Sequence, residues 1–320
     1  MTRQTLEAWL QKNLITKDQF DQLEPIASGK IISVYYELRT LLYLGVLLFS
    51  TGIGILIYKN IGEVGHLVSI GLLAFATLIC FWYVFSKSVD FSYSKVKPPT
   101  PYYDYIVLLG SLLFISFQGY LQFKYQLLDE NLGWSTLISA LFFFFIAYRF
   151  DHLGILSLAI TALASFWSIS VSPQKWYSSN FFESDHLYIT AIILGIGLIL
   201  TAMLLDWKKI KKHFTFTYLN FGLAMFFIGS LVGLFDNSNY GFFILLILAG
   251  SGFAVFYGFR EKSFLFLLYA FIFTYIAITY FLADTVFNDL PELIFYYSIA
   301  SCGGFVYFII SYRKLFSRKS

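Results

Sequence analysis

Long apolar runs separated by short polar breaks dominate the chain from residue 39 onwards. The first run, RTLLYLGVLLFSTGIGILIYK, places nineteen uncharged residues between Arg39 and Lys59. Because a helix rises about 1.5 Å per residue, this run is long enough to cross a hydrocarbon core of about 30 Å. The pattern predicts a transmembrane helix here, and the same event recurs towards the C-terminus.

Nine further apolar runs follow the first, so the sequence predicts an all-α membrane protein with about ten transmembrane helices. The predicted domains are a cytosolic amphipathic helical hairpin with a lead-in at 1–38, a polytopic transmembrane domain at 39–312, and a basic cytosolic tail at 313–320. The ten spans are about 40–58, 67–86, 102–122, 134–148, 153–171, 187–205, 214–235, 241–258, 263–282 and 293–312.

The division between the fourth and fifth spans rests on the polar segment 149–152. A single helix through this point would bring Arg149 and Asp151 to the centre of the bilayer, where charged side chains are costly. The sequence therefore predicts a tight cytosolic turn at this point.

The segment 1–38 is predicted to form two short helices with apolar faces. Thr16 and Gln19 form a capping-box pattern that opens the second helix, and Gly29 is a candidate stop. The faces are too small to be stable alone. Two interpretations stay open, a hairpin packed on the protein's own cytosolic face and a docking module for a protein partner. The apolar positions are Leu6, Trp9, Leu10, Leu14, Phe20, Leu23 and Ile26.

The distribution of lysine and arginine predicts the orientation. With the N-terminus inside, 19 of the 22 cations fall on cytosolic segments, and only Lys59, Lys124 and Lys175 fall outside. This asymmetry is a positive-inside signal that places both termini in the cytosol.

Composition excludes a soluble globular protein, since 58% of residues are hydrophobic and 13% are charged, about half of the usual charged fraction. The lipid bilayer is the expected environment, and no nucleic-acid partner is expected. The segment 1–38 contains no apolar signal sequence, so the first span is expected to direct insertion. Cys80 and Cys302 both lie within apolar runs, which is typical of small buried hydrophobes.

Polar residues within the predicted spans favour structural roles. Asp104 and Asp206 lie near cytosolic ends, and Lys208 and Lys209 stand beside Asp206 as pairing partners. Gln118 and Asn220 are among the deepest polar side chains, where helix-to-helix hydrogen bonds are the usual role. All six prolines fall outside the predicted spans, so nothing signals the broken helices of many carriers.

The outer loops hold the mixed polar residues that an enzyme would need. Glu183, Asp185 and His186, together with Glu63 and His66, would form a metal or hydrolytic site if the fold gathered them. Their spacing matches no metal signature, so a solvated loop is the favoured explanation. The sequence assigns no catalytic residue, cofactor-binding residue, metal ligand or cofactor.

Four lysines between positions 208 and 212 form a basic patch. Such a patch is suited to anionic lipid headgroups, and retention of the membrane topology also explains it.

The N-terminal third resembles a family of bacterial membrane proteins known as domain of unknown function family 2157. The resemblance covers about residues 5–80, from LEAWLQKNLITKDQFDQL to the first span and its loop. Family members combine an amphipathic hairpin with a Gly-rich first span that ends near an Asn, here Asn60, and commonly a Trp, where this chain has Ile61. The resemblance implies a bacterial multi-pass inner-membrane protein without an established activity.

Three functions are compatible with the sequence. The first is a non-enzymatic scaffold or accessory subunit of an envelope complex, with the hairpin as an interaction module. The alternative is a small-molecule transporter, because ten spans with both ends inside resemble the drug/metabolite transporter architecture of two inverted five-span halves. The third is a membrane enzyme acting on lipid or envelope substrates at the outer face through Glu183, Asp185 and His186.

Overall fold

The computed structural model describes residues 9, 16–17, 19–20, 35–59, 63–125, 132–171, 187–236, 240–287 and 293–304. Every regular element within these ranges is a helix. The helices are α1 Tyr35–Lys59, α2 Glu63–Lys87, α3 Tyr103–Tyr125, α4 Leu132–Phe150, α5 Leu153–Val171, α6 Leu187–Lys208, α7 Thr215–Asp236, α8 Tyr240–Arg260, α9 Phe264–Leu282 and α10 Leu293–Gly304.

Two short helical turns extend this set. The 3-10 turn Lys212–Phe214 precedes α7, and the π turn Ala283–Phe287 continues α9. The predicted all-α fold is confirmed for the described part of the chain.

Eight of the described helices are long and apolar enough to cross a membrane, and they correspond to the second through ninth predicted spans. Two shorter apolar stretches, Thr40–Gly52 and Leu293–Gly304, coincide with the first and last predicted spans. The chain is therefore a multi-pass membrane protein. Its surface fits that environment, because large apolar side chains such as Leu245 and Phe256 are 69% and 62% exposed.

Two local predictions are confirmed at the level of single residues. The main-chain N–H of Thr16 donates to Gln19 Oε1 at 3.0 Å, and that of Gln19 donates to Thr16 Oγ1 at 3.3 Å, which is a reciprocal capping box. The turn between the fourth and fifth spans is also present, since α4 ends at Phe150 and α5 begins at Leu153.

The chain divides into two compact units. The first contains residues 1–86 and 100–117, and the second contains residues 87–99 and 118–320. Within the first unit, the Tyr103 hydroxyl donates to the Val84 carbonyl at 3.2 Å, and a Cβ on Gly110 would stand 3.0 Å from Cys80 Cβ. These contacts join α2 to the first part of α3.

The second unit is organised around α7, the most buried of its membrane spans. Glycines let α7 approach α6 closely. A Cβ on Gly195 of α6 would lie 2.7 Å from the Phe226 nitrogen and 2.8 Å from the Gly222 carbonyl oxygen. Because these atoms belong to the backbone of α7, only hydrogen fits at Gly195 at this helix separation.

The GxxxG pair in α7 packs in the same way. A Cβ on Gly229 would lie 2.8 Å from the Tyr188 carbonyl oxygen of α6, and one on Gly233 would overlap the Phe243 ring of α8. These glycines therefore pack helix against helix within one chain.

We predict that Gly195→Ala lowers stability by about 1–3 kcal/mol, because the methyl group meets main-chain atoms that cannot move without separating α6 from α7. Gly197→Ala is the matched control, since a Cβ there meets nothing within 4 Å. Thermal unfolding of the full-length protein in detergent, followed by gel filtration, measures the difference. Equal midpoints for the two variants would contradict this account of the packing.

Candidate functional site

Asp151 lies in the short connection between α4 and α5. Its φ of 61° is left-handed, a conformation that Asp adopts more readily than most side chains. His152 follows and opens α5, because its Nδ1 accepts a hydrogen bond from the Ile155 N–H at 3.1 Å. The Asp151 side chain is 3% exposed, so a carboxylate is buried beside this turn.

Lys211 and His213 belong to the connection between α6 and α7. Lys211 has a φ of 45° and directly precedes the 3-10 turn. Phe214 is fully buried, with its ring 5.1 Å from that of Tyr148 on α4, edge to face. This aromatic contact fixes the connection beside α4, where Lys211 and His213 reach Asp151.

The three side chains form what we name the Asp151 cluster: Asp151, Lys211 and His213. Asp151 Oδ1 lies 3.0 Å from Lys211 Nζ and 2.5 Å from His213 Nε2. The Lys211 side chain is 1% exposed and that of His213 is 17% exposed. His213 is therefore the member of the cluster that water reaches most easily.

The segment 88–97, which follows α2 without regular structure, closes over the cluster. The Val96 N–H donates to Asp151 Oδ2 at 2.5 Å, and the Lys211 N–H donates to the Tyr93 carbonyl at 2.7 Å. The Phe91 ring faces Lys211 Nζ, 5.2 Å from its centroid. The segment thus supplies a backbone donor to the anion and an aromatic face to the cation.

Arg149 holds the same segment from the end of α4. Its guanidinium donates to the Val89 carbonyl at 2.8 Å and to Ser88 Oγ at 3.1 Å. Two neighbouring charged residues, Arg149 and Asp151, therefore bind the segment at two separate points.

The electrostatics of the cluster favour a structural tie. A buried carboxylate or ammonium is tolerated only when it is paired and hydrogen-bonded. Here both Asp151 oxygens accept hydrogen bonds and the Lys211 cation is neutralised by contact, so neither group is poised to attack a substrate. Chemically, the arrangement joins three connections at one end of the helices. We name this end, with its connections 88–99, 151–152, 209–214 and 261–263, the lysine-rich end.

A second ionic contact lies at the same end. Asp206, near the end of α6, accepts a hydrogen bond from Arg260 Nη2 at the end of α8 and lies 3.7 Å from Lys212 Nζ. The sequence suggested Lys208 and Lys209 as partners of Asp206, but the structure gives this role to Arg260 and Lys212. Asp206 thereby links two connections that are far apart in the chain.

Several polar side chains within the spans bond to neighbouring helices or to their own helix. Gln118 on α3 donates to Ser135 Oγ at 2.9 Å and accepts from Ser139 at 2.6 Å, both on α4. Asn220 on α7 accepts from the Tyr269 hydroxyl on α9 at 2.8 Å. The structural interpretation of Gln118 and Asn220 is confirmed. Thr51, Thr161 and Ser165 donate to carbonyls of their own helices.

The outer-face residues that the sequence singled out are not gathered into a described site. Glu183, Asp185 and His186 lie outside the described residues, as does the Glu63 side chain. His66 is half-buried near the start of α2. Within the described ranges, no group of three or more His, Cys, Asp or Glu is close enough to hold a metal ion.

The Asp151 cluster was not foreseen from the sequence, which treated Asp151 as a turn residue and Lys211 as one of four surface lysines. Lys211 is instead fully buried, so the basic patch is smaller than predicted. The sequence did contain a partial signal, a lone acid in a very short turn and four closely spaced lysines much later in the chain. In the structure, this acid pairs with one of those lysines. Nothing in that spacing says which of the four lysines is buried.

Comparison with known proteins supports the family resemblance and extends it. Residues 7–156 match the family model described as a predicted membrane protein, DUF2157. The match runs beyond the first two spans to the Asp151 turn. No curated protein and no solved structure matches the chain.

We predict that Asp151→Asn costs about 3–5 kcal/mol of stability, because it leaves the Lys211 cation buried without a counter-charge. Asn tolerates the left-handed backbone, so the loss reports on charge rather than on strain. Lys211→Met alone takes the buried ammonium from the carboxylate and is also destabilising, by a smaller amount because His213 and the Val96 N–H stay in contact with Asp151. The double variant Asp151→Asn with Lys211→Met recovers most of the loss, because no uncompensated charge then remains.

Thermal unfolding of the four proteins in detergent completes this double-mutant cycle. Lys212→Met is the control within the same connection. Its side chain is 63% exposed, so the expected change is about 0–1 kcal/mol. Additive losses in the double variant would show that the Asp151–Lys211 pair is not coupled.

Proposed function

We propose that this chain, in which residues 7–156 match the DUF2157 family of predicted membrane proteins, is a non-enzymatic scaffold or accessory subunit of an envelope complex. The chain crosses the bacterial inner membrane ten times. Helix α1 is the first span, α10 is the last, and the eight long helices are the spans between them. Both termini lie in the cytosol, so the lysine-rich end is the cytosolic face.

The observation that carries the proposal is the way in which charged and polar groups are used. At the lysine-rich end, both Asp151 and Asp206 tie connections together. Within the spans, Gln118 and Asn220 hold helix to helix. Groups committed to such contacts stabilise one arrangement of the helices, which suits a protein that presents a fixed surface to others.

The N-terminal hairpin supplies the docking element in this proposal. Trp9 lies in a helical residue position and is 40% exposed, and the capping box of Thr16 and Gln19 defines the start of the second helix. An exposed tryptophan is a typical anchor for a protein interface.

A carrier of polar solutes would gain support from a polar cavity at mid-depth. A cavity of about 400 Å³ within the first unit has the opposite character. Its lining is aliphatic and aromatic, from Leu38, Leu41, Leu42, Gly45, Val46, Phe49 and Leu109. Such a lining suits an acyl chain rather than a polar solute. It therefore adds no support for a carrier of polar solutes, and the transporter stays the second hypothesis.

We predict that a fluorescent protein fused to the C-terminus of the full chain fluoresces, and that alkaline phosphatase fused at the same point is inactive. Green fluorescent protein matures in the cytosol, whereas the phosphatase needs the oxidising periplasm for its disulfides. The reverse pair of results would contradict the proposed position of the C-terminus, and the same reporters at the N-terminus test the other end.

We predict that Trp9→Ala in the full-length protein abolishes co-purification of one defined protein partner from mild-detergent membranes. Lys17→Ala is the control, since it changes another exposed residue of the hairpin. In the reciprocal experiment, the tag is placed on the partner, and the full-length chain is expected to co-purify with it. Equal recovery with Trp9→Ala, or no partner with any variant, would contradict the docking role.

A further inference from the structure

Two connections at the lysine-rich end combine into one basic surface. Lys208 at the end of α6 is exposed, as are Lys209 and Lys212 in the connection after it. Arg260 at the end of α8 and Lys262 in the connection after it are also exposed. We name these five residues the basic surface. Asp206 draws the two connections together through its contacts with Arg260 and Lys212. Five cations therefore stand against two carboxylates, Asp206 and Glu261, in these two connections.

Backbone conformation sets two of the five cations apart. Lys209 and Lys262 have φ values of 55° and 51°, the left-handed conformation that glycine or asparagine adopts with less strain at the end of a helix. Lys211 shares this conformation, and its side chain is used in the buried pair with Asp151. The side chains of Lys209 and Lys262 are exposed, so their cations face the surroundings of the protein.

Aromatic neighbours place this surface at the depth of lipid headgroups. Trp207 is 78% exposed directly before Lys208, and Phe259 is 50% exposed directly before Arg260. Tryptophan prefers the membrane–water interface, where its ring lies among the headgroups. In this position, Lys208 beside Trp207 would lie near the level of the lipid phosphates.

We propose that the basic surface binds the phosphate of an anionic phospholipid, with Lys209 and Lys262 as the principal contacts. A phosphodiester carries one negative charge, and lysine ammonium groups neutralise it as mobile point charges. Lys211 takes no part, because it is buried against Asp151. The membrane leaflet next to the lysine-rich end supplies this lipid, so the surface needs no protein partner.

The test is a lipid titration of the full-length protein in a neutral detergent. The thermal midpoint is measured against increasing phosphatidylglycerol, and separately against phosphatidylcholine and inorganic phosphate. We expect a saturable rise with phosphatidylglycerol that exceeds the rise with phosphatidylcholine. In the double variant Lys209→Asn with Lys262→Asn, half-saturation is expected to need at least about tenfold more phosphatidylglycerol, since each lysine near a lipid surface contributes roughly fivefold to binding.

Asparagine keeps the left-handed backbone, so the double variant separates lost charge from lost structure. Lys124→Asn is the matched control, an exposed cation near the C-terminal end of α3. It should leave the phosphatidylglycerol titration unchanged. The midpoint without lipid reports separately on any effect of the two lysines on the helix ends.

A second measurement uses the unaltered protein. Raising the salt concentration to about 1 M shortens the screening length to about 3 Å and should abolish the difference between the two lipids. Equal stabilisation by both lipids, an unchanged titration in the double variant, or replacement of the lipid by inorganic phosphate would each overturn the proposal.

Discussion

The buried pair of Asp151 and Lys211 is the interaction on which the lysine-rich end depends. Neither charge is stable out of water without the other, so the connection after α4 and the connection after α6 must meet. The same two side chains also hold the segment 88–97. Asp151 accepts a hydrogen bond from the Val96 N–H, and the Lys211 ammonium faces the Phe91 ring. One ion pair thereby determines the positions of three connections.

Within the membrane, close packing replaces the burial of apolar surface that drives folding in water. Lipid is as apolar as the helices, so contact between backbones and hydrogen bonds between helices must supply the attraction. Gly195 and Gly229 allow the backbones of α6 and α7 to come into contact. Gln118 and Asn220 make hydrogen bonds between helices. The apolar outer faces of the spans need no covering by protein.

The short loop after α6 holds two classes of cation. Lys211 is buried in the pair with Asp151, whereas Lys209 and Lys212 are exposed. The buried pairs hold the connections of the lysine-rich end in one arrangement, so the basic surface needs no rearrangement to form. The proposals for protein docking and for lipid binding rest on different residues, so each stands or fails by itself.

Local sequence was enough to predict that these segments form helices and roughly where the spans lie. Hydropathy located the eight long spans, the Thr16–Gln19 pattern forms a capping box, and the polar segment 149–152 forms a turn. These features depend only on residues close together in the chain and on their contact with the bilayer. The pairing of Asp151 with Lys211, and of Asp206 with Arg260, emerged only once the chain was folded. Four closely spaced lysines look alike in a sequence, because which one is buried depends on a surface contributed by a distant part of the chain.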